Sequence, residues 1–475
     1  MSTTAEPVPA EAPARAGGMS RSAWSWSFYQ GARDPYIILI GTYVFIPYFA
    51  TLVVGDPVKG QSFVALYSLV SSLIVAFTAP ILGAAVDQMG SRKPWLLALT
   101  ALSIPLIASL WFVLPAGMSG GMSVLMALAV LTAISIVLSY GDVFYNAMLV
   151  GAVRPSEQPA ASGMALSLGN ATSIVMLLFV MFAFVMPGRM DFGWLPDKPL
   201  FGLDAASHQP DRIVGPIVAV FFALLAAPLF FLCTDGKATG VRFGAALKAG
   251  WGHLASLRHG AKAPRDVIVY LIARMLYIDG KMALLIFGGV YAAGVMGWGV
   301  LQLLTLGILA TLAGVFGGVM GGWLDRVLGP REAFKLEIAV TLLALIAQLG
   351  STPTQLLYFW KIEAGGPPLF GLPLFGSAPE LVYLAAAIVV SLFGTASWAS
   401  SRTLMARLTP PEEAGAFFGL FALSQTATMW VGPLLIDLFT RAFHSQPAGF
   451  IPIVVMMLAG LVMLYFVRGG GKTTA

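Results

Sequence analysis

Ionisable side chains set inside apolar stretches are the groups in this chain most able to do chemistry. They are Asp142, Arg274, Asp279, Lys281, Arg402 and Asp437, with Arg33 and Asp34 at the entrance of a further stretch. Each costs roughly 2.5–3.5 kcal/mol to place in a bilayer, so each needs a partner or a task. A carboxylate in such a place can bind a proton or a cationic group, and an arginine can hold a carboxylate. Asp142 and Asn146 are at i and i+4 and share a helix face. Asp279 and Lys281 are too close in sequence to share one, so they are not expected to pair. The candidate solute and proton site is Asp34, Asp142, Asn146, Arg274, Tyr277, Asp279, Lys281 and Arg402. For Arg33, Arg274, Arg402 and Asp437 the competing reading is a structural ion pair or a side chain reaching for the helix end.

A second pattern occurs twice, about half a chain apart. The first copy has Gly83, Asp87, Gly90, Arg92 and Lys93; the second has Gly321, Asp325, Gly329 and Arg331. The leading glycines let helix backbones approach closely. A carboxylate at a helix end can accept bonds from the free N–H groups of a neighbouring helix N-terminus. The basic residues can pair with acids on the opposite half. A plain topology-setting turn is the competing reading. The glycine run Gly314–Gly322 lacks the lysine–serine ending of a phosphate loop and reads as helix packing.

The elements that must hold these groups are membrane helices. Of 475 residues 58% are hydrophobic and only 10% charged, against roughly 25% charged in a soluble domain. About twelve apolar stretches, each near the 20 residues needed to cross a bilayer, run from Tyr36 to Val467. Helices are the only reading for spans of that length, because lipid offers the backbone no partner. The expected fold is all-α and integral to the membrane, with twelve transmembrane helices in two pseudo-symmetric six-helix bundles. Residues 1–32 are expected to be a disordered cytoplasmic tail, 33–234 the first bundle, 235–266 a cytoplasmic linker, 267–468 the second bundle and 469–475 a cytoplasmic tail. The halves match again where Arg154-Pro155-Ser156-Glu157 and Gly163 align with Pro410-Pro411-Glu412-Glu413 and Gly419. Asp34 and Asp279 fall at comparable places in the first span of each half.

Basic residues lie mainly in loops after even-numbered spans, among them Arg92, Lys93, Arg154, Arg242, Lys248, Arg326, Arg331 and Arg407. That bias puts both termini in the cytoplasm, and it accounts for the net charge of +5 without nucleic acid. Pro187–Arg212 and Ser351–Glu380 are expected to be irregular loops on the other side. The linker reads either as an amphipathic helix on the anionic inner leaflet or as a solvated connection. A single cysteine, Cys233, excludes an internal disulfide and a multi-cysteine metal site. No nucleophile–base set or metal cluster emerges, so neither enzyme activity nor a metal or cofactor is expected.

Four segments resemble the major facilitator superfamily, and within it the vacuole-effluxer (autophagy-related permease-like) branch with its bacterial members. They are Trp26-Ser27-Phe28-Tyr29 leading to Pro47-Tyr48-Phe49; Gly83 to Trp95; Ala273 to Gly280 continuing to Gly294; and Ser401-Arg402 through Gly432-Pro433. The resemblance implies alternating access, a central cavity lined by spans one, four and seven, and a role for the paired loops as a latch on the cytoplasmic gate. Fungal members of the branch export amino acids from a vacuole. This chain departs from the branch at two places. Tyr29-Gln30-Gly31-Ala32-Arg33-Asp34 stands where an acid usually follows the tyrosine, and Ile278-Asp279 with Lys281 stands where an Asn-Asp pair is usual.

The expected function is secondary active transport of a small organic solute, an amino acid or similar amphipathic metabolite, across a bacterial inner membrane with proton coupling. Its partners would be the solute, protons and the lipid bilayer, with the chain acting as a monomer. An uncoupled facilitator and a transporter-like sensor or scaffold are the alternatives. The topology is testable with single cysteines in a Cys233→Ala background and an impermeant maleimide. A cysteine at Ala249 is expected to stay unlabelled in intact cells, and labelling there from outside would overturn the topology.

Overall fold

The computed structural model describes residues 18–187, 198–204, 207–259, 265–298, 300–362, 375–426, 428 and 430–470. The first half contains α1 (Arg21–Val53), α2 (Pro57–Met89), α3 (Lys93–Phe112), α4 (Val124–Ala152), α5 (Gln158–Phe184) and α6 (Gln209–Leu232). The second contains α7 (Arg265–Val295), α8 (Val300–Leu328), α9 (Pro330–Leu349) and α10 (Ala378–Leu408). It ends with α11, in two pieces (Ala414–Thr426 and Val431–Phe443), and α12 (Gln446–Leu464). Nine of these, all but α7, α9 and α11, are long and apolar enough among the described residues to cross a membrane. α7 carries charges along its length, α9 carries four in its first eight residues, and α11 is interrupted between its two pieces. The chain is an all-α integral membrane protein with the helix order of a major facilitator.

Helix starts follow local chemistry. Ser20 caps α1 by accepting from Ala23 N, Ser123 caps α4 by accepting from Met126 N, and Ser377 forms a reciprocal capping box with Glu380 at α10. α1 begins at Arg21, inside the stretch expected to be a tail to residue 32. This stretch is too polar to read as a span, yet its polar groups are answered inside the bundle. Trp26 Nε1 donates to Tyr145 O at 2.9 Å, Ser27 Oγ to Ala161 O at 3.0 Å, and the Tyr29 hydroxyl meets Thr100 Oγ1 at 2.8 Å. Beyond Pro35, α1 widens into π-type turns at Tyr36–Tyr43 and Phe49–Val53.

The halves meet chiefly where α2 packs on α11 and α5 on α8. Both contacts are backbone on backbone. A Cβ on Gly83 would lie 2.0 Å from Gly415 O, and one on Gly163 would lie 2.3 Å from Gly318 O. These contacts lie at the end of the molecule that carries both described chain ends, here the terminal side. On that side the two halves are in contact.

One connection differs from expectation, and the linker takes one of the two forms expected of it. The loop after α9 holds a two-stranded antiparallel hairpin, β1 (Gln355–Leu356) on β2 (Trp360–Lys361), where an irregular loop was expected. The remainder of that loop at 363–374, and residues 188–197 of the Pro187–Arg212 loop, lie outside the described residues. The linker forms a helix over Phe243–His259. It packs against α2, where a Cβ on Gly250 would lie 2.8 Å from Ala85 N, and the Phe243 and Trp95 rings sit 5.1 Å apart. Trp251 on its outer face is 60% exposed.

Candidate functional site

In the first half, one face of α1 and one of α4 bring together a charged cluster. Gln30 Nε2 donates to both Asp34 oxygens at 2.7 and 2.9 Å, and Arg33 Nη2 donates to Asp34 Oδ1 at 3.0 Å. Arg33 also pairs with Asp142 of α4, so one guanidinium joins two carboxylates on two helices. Asp34 is seated against α5 at Gly169, where a Cβ would lie 2.0 Å from its Oδ2. Asn146, one turn beyond Asp142, keeps its Oδ1 buried without a hydrogen-bond partner among the described residues.

Arg402 belongs to α10 in the second half but reaches the first. Its guanidinium lies 5.4 Å from the Trp26 ring and 5.8 Å from the Tyr145 ring, which are themselves stacked at 4.4 Å. Its Nη1 is buried with no hydrogen-bond partner among the described residues.

The other candidates of the second half are mostly used in packing. Arg274 joins three helices: Nε donates to Ser401 Oγ at 3.1 Å, Nη1 to Phe421 O at 2.8 Å and to Ser424 Oγ, and Nη2 to Gln425 Oε1 at 3.3 Å. Its guanidinium also stacks 3.5 Å from the Phe421 ring. A guanidinium so engaged has little left for a solute. Lys281 donates to Gly394 O and lies 3.8 Å from the Trp398 ring, and the Tyr277 hydroxyl meets Ser397 Oγ. Both tie α7 to α10. Asp437 pairs with Arg441 at 2.8 Å on an exposed face. Asp279 differs from all of these. It is 2% exposed, its Oδ1 has no hydrogen-bond partner among the described residues, and it pairs with neither Arg274 nor Lys281. It faces Thr428, in the interruption of α11.

The paired loops are not alike. Asp87 accepts from Gly415 N and Ala416 N, each at 2.8 Å, at the N-terminus of α11. Arg92 donates to Asp87 at 2.6 Å and to Pro411 O, in the other half, at 3.0 Å. Gly90 and Gly329 both hold positive φ, 80° and 85°, the region where glycine is at ease. Asp325, however, reaches no helix N-terminus, and neither of its oxygens has a hydrogen-bond partner among the described residues. Among the described residues the expected pairing of Arg92, Lys93 and Arg331 with acids across the halves is not found. Lys93 donates to Phe230 O and Cys233 O at the end of α6, and Arg331 donates to Glu332 and to Val467 O. Helix-end carbonyls within each half take up these cations.

Two participants were missed in the sequence. Glu337 of α9 is fully buried and accepts from Ser400 Oγ at 3.0 Å. It is an acid inside an apolar span, the same signal that marked Asp279. Asp235 of the linker accepts from Arg92 N at 3.2 Å and Lys93 N at 2.8 Å, capping α3. Its place in a loop gave no signal.

Comparison with known proteins places this geometry among transporters. The family model described as vacuole effluxer Atg22 like matches residues 48–470. An autophagy-related protein 22 of Pichia angusta is 24% identical over 47% of this chain. The chain spans only 37% of that relative and 51% of a Kluyveromyces lactis counterpart. An uncharacterized MFS-type transporter of Bacillus subtilis, YxiO, is 21% identical over 93% of this chain and 94% of its own length. Among solved structures, the major facilitator transporter FucP in its outward conformation superposes with a TM-score of 0.65 at 13% identity, covering 94% of this chain and 98% of FucP. A bacterial homologue of ferroportin in an outward-facing state gives 0.63 at 13% identity, with the same coverage.

The Asp87 contact generates a prediction. A carboxylate at a helix N-terminus contributes a few tenths of a kcal/mol to ~2 kcal/mol, enough to shift a conformational balance several-fold. Ser162 is fully buried where α5 meets α10, with its hydroxyl on Ala399 O. In a Cys233→Ala background, maleimide labelling of Ser162→Cys is expected to speed up several-fold when Asp87→Asn is added. Asp325→Asn, with no such contact to lose, is expected to change it less. An unchanged rate with Asp87→Asn would remove its gate role.

Proposed function

The chain belongs to the vacuole effluxer Atg22-like family, and from that premise we propose that it is a proton-coupled secondary transporter of a small organic solute in a bacterial inner membrane. The solute class is an amino acid or a similar amphipathic metabolite. Major facilitator architecture and transporter relatives support the transport reading itself. The coupling rests on one observation, the buried Asp279 with a free carboxyl oxygen beside a break in α11. Helix interruptions at the middle of a membrane free backbone groups and mark binding sites in transporters. A proton on that carboxyl supplies a donor where the oxygen has none, and water or solute entering beside it would supply another, which is what loading and release of a proton require.

The first-half cluster suits the solute. Arg33, Asp34 and Asp142 form a group of mixed charge in which two carboxylates share one guanidinium. Arg402, reaching in from α10 over the Trp26 and Tyr145 rings, adds an incompletely used cation. A solute carrying both an anionic and a cationic end could displace these internal pairs group for group. In this closed-gate arrangement Asp87 holds α2 to α11, and alternation would break that hold while the Gly163–Gly318 contact parts.

Proteoliposomes with and without an imposed pH gradient test the coupling. Asp279→Asn is expected to lose gradient-driven accumulation while keeping solute exchange. Gradient-driven uptake surviving in that variant would move the coupling site to Asp34 or Asp142. Wild-type uptake indifferent to the gradient would identify an uncoupled facilitator.

A further inference from the structure

Asp325 and Glu337 are two acids that the gate and the central cluster leave unexplained. Asp325 lies near the end of α8, 1% exposed, with both carboxyl oxygens buried and without hydrogen-bond partners among the described residues. Glu337 lies on α9, 0% exposed; its Oε1 accepts from Ser400 Oγ of α10 at 3.0 Å, and its Oε2 is buried with no partner. Asp325 faces the same Ser400 and its neighbour Thr403, whose hydroxyl is committed to Ala399 O at 3.0 Å. Ser400 thus lies between the two acids, bonded to Glu337 and facing Asp325, and the charge of Asp325 acts on Glu337.

The surrounding charges do not neutralise them by contact. Lys281 of α7 acts on Glu337 from a distance, with its ammonium committed to Gly394 O and the Trp398 ring. Arg407 of α10 acts on Asp325, and Asp325 in turn acts on Tyr270 of α7, whose hydroxyl is engaged with Ser401. Among the described residues neither acid forms a salt bridge. Two ionised carboxylates at this burial would repel each other in a low dielectric with three oxygens unanswered. The donor set is also thin for a hard metal ion, which takes six or more oxygen ligands. A proton fits. A neutral carboxylic acid donates as well as accepts, and one proton turns an unanswered oxygen into a donor toward its neighbour.

We propose that Asp325 and Glu337 form a proton-binding site between α8, α9 and α10, apart from Asp279, that is occupied while the terminal side is closed. Asp325 stands beside the turn into α9, on the helix whose glycines pack against α5. Parting of α8 from α5 admits water at that turn. The O–H bond then breaks, its electron pair stays on the carboxylate, and the proton passes to water on the terminal side. The site stands whether or not Asp279 couples transport.

Infrared spectra of the purified protein in lipid near neutral pH test it. The wild type is expected to show a protonated-carboxyl carbonyl stretch that disappears in Glu337→Gln and in Asp325→Asn but persists in Asp279→Asn, any separate Asp279 band being the one that only Asp279→Asn removes. Both amides mimic the neutral acid, so the fold is expected to survive, as a single monodisperse species would show. Should either misfold, Ser400→Ala keeps both acids and is expected to shift the stretch by removing the hydroxyl donor. Spectra of the Glu337 and Asp325 variants that match the wild type in this region would overturn the proposal. So would loss of the wild-type band on adding sodium at fixed pH, which would assign the site to a metal cation. Failure of the Asp279 reading would leave the band intact and change only the proteoliposome result.

Discussion

Water is absent where most of this chain lies, so each polar group there must find its partner inside the protein. Within each half that demand binds helix to helix. The Trp26 indole and Tyr145 hydroxyl exchange hydrogen bonds with each other's backbone carbonyls, at 2.9 and 3.1 Å, and their rings stack. Arg274 gathers α7, α10 and α11 around one guanidinium. The Tyr48 and Tyr291 hydroxyls end on the carbonyls of Val113 and Leu349. Such units are costly to break, because removing one partner leaves the other buried and unanswered. They make each half behave as a body.

Between the halves the chemistry changes. Contact is made chiefly where glycine backbones meet, so the surfaces can part without leaving large cavities. Among the described residues the hydrogen bonds that cross include Asp87 to the α11 N-terminus, Arg92 to Pro411 O, Ser162 to Ala399 O and Ser167 to Val315 O. The first glycine–aspartate loop is further tied to the linker, since Thr239 N donates to Met89 O at 3.0 Å and Asp235 caps α3. The second loop is held instead through Arg331, which donates to Val467 O and Arg468 O after α12. Duplication supplied two similar loops, and the linker, which exists only once, made them unequal.

Irregular helix lies near the charged cluster and at Asp279. α1 turns to π geometry at Tyr36, two residues past Asp34, and α11 stops at Thr426 and resumes at Val431 beside Asp279. Pro35 and Pro47 lack the N–H that a regular ladder needs, which accounts for part of the widening in α1. Backbone freed in this way can bend or hydrate at lower cost than a regular helix. The acids therefore sit where the fold is least committed to one arrangement.

The sequence by itself determined the class of the molecule. Apolar runs of span length admit only helices in lipid, and a loop repeated half a chain apart implies paired halves. It also marked the costly charges, Asp279 among them, because an acid in an apolar run stands out without any structure. It misjudged residues 21–32, whose polarity reads as solvent exposure until Tyr145, Thr100 and Ala161 are seen to answer it. The partners of each charge were decided only by tertiary structure. Arg274 and Arg402 look alike in a linear reading, yet one is consumed in packing while the other reaches across the halves with a nitrogen to spare. Asp87 and Asp325 occupy the same place in a repeated motif, yet only Asp87 meets a helix N-terminus. Spacing along a helix fixes which face a side chain takes, but what waits opposite that face belongs to residues hundreds of positions away.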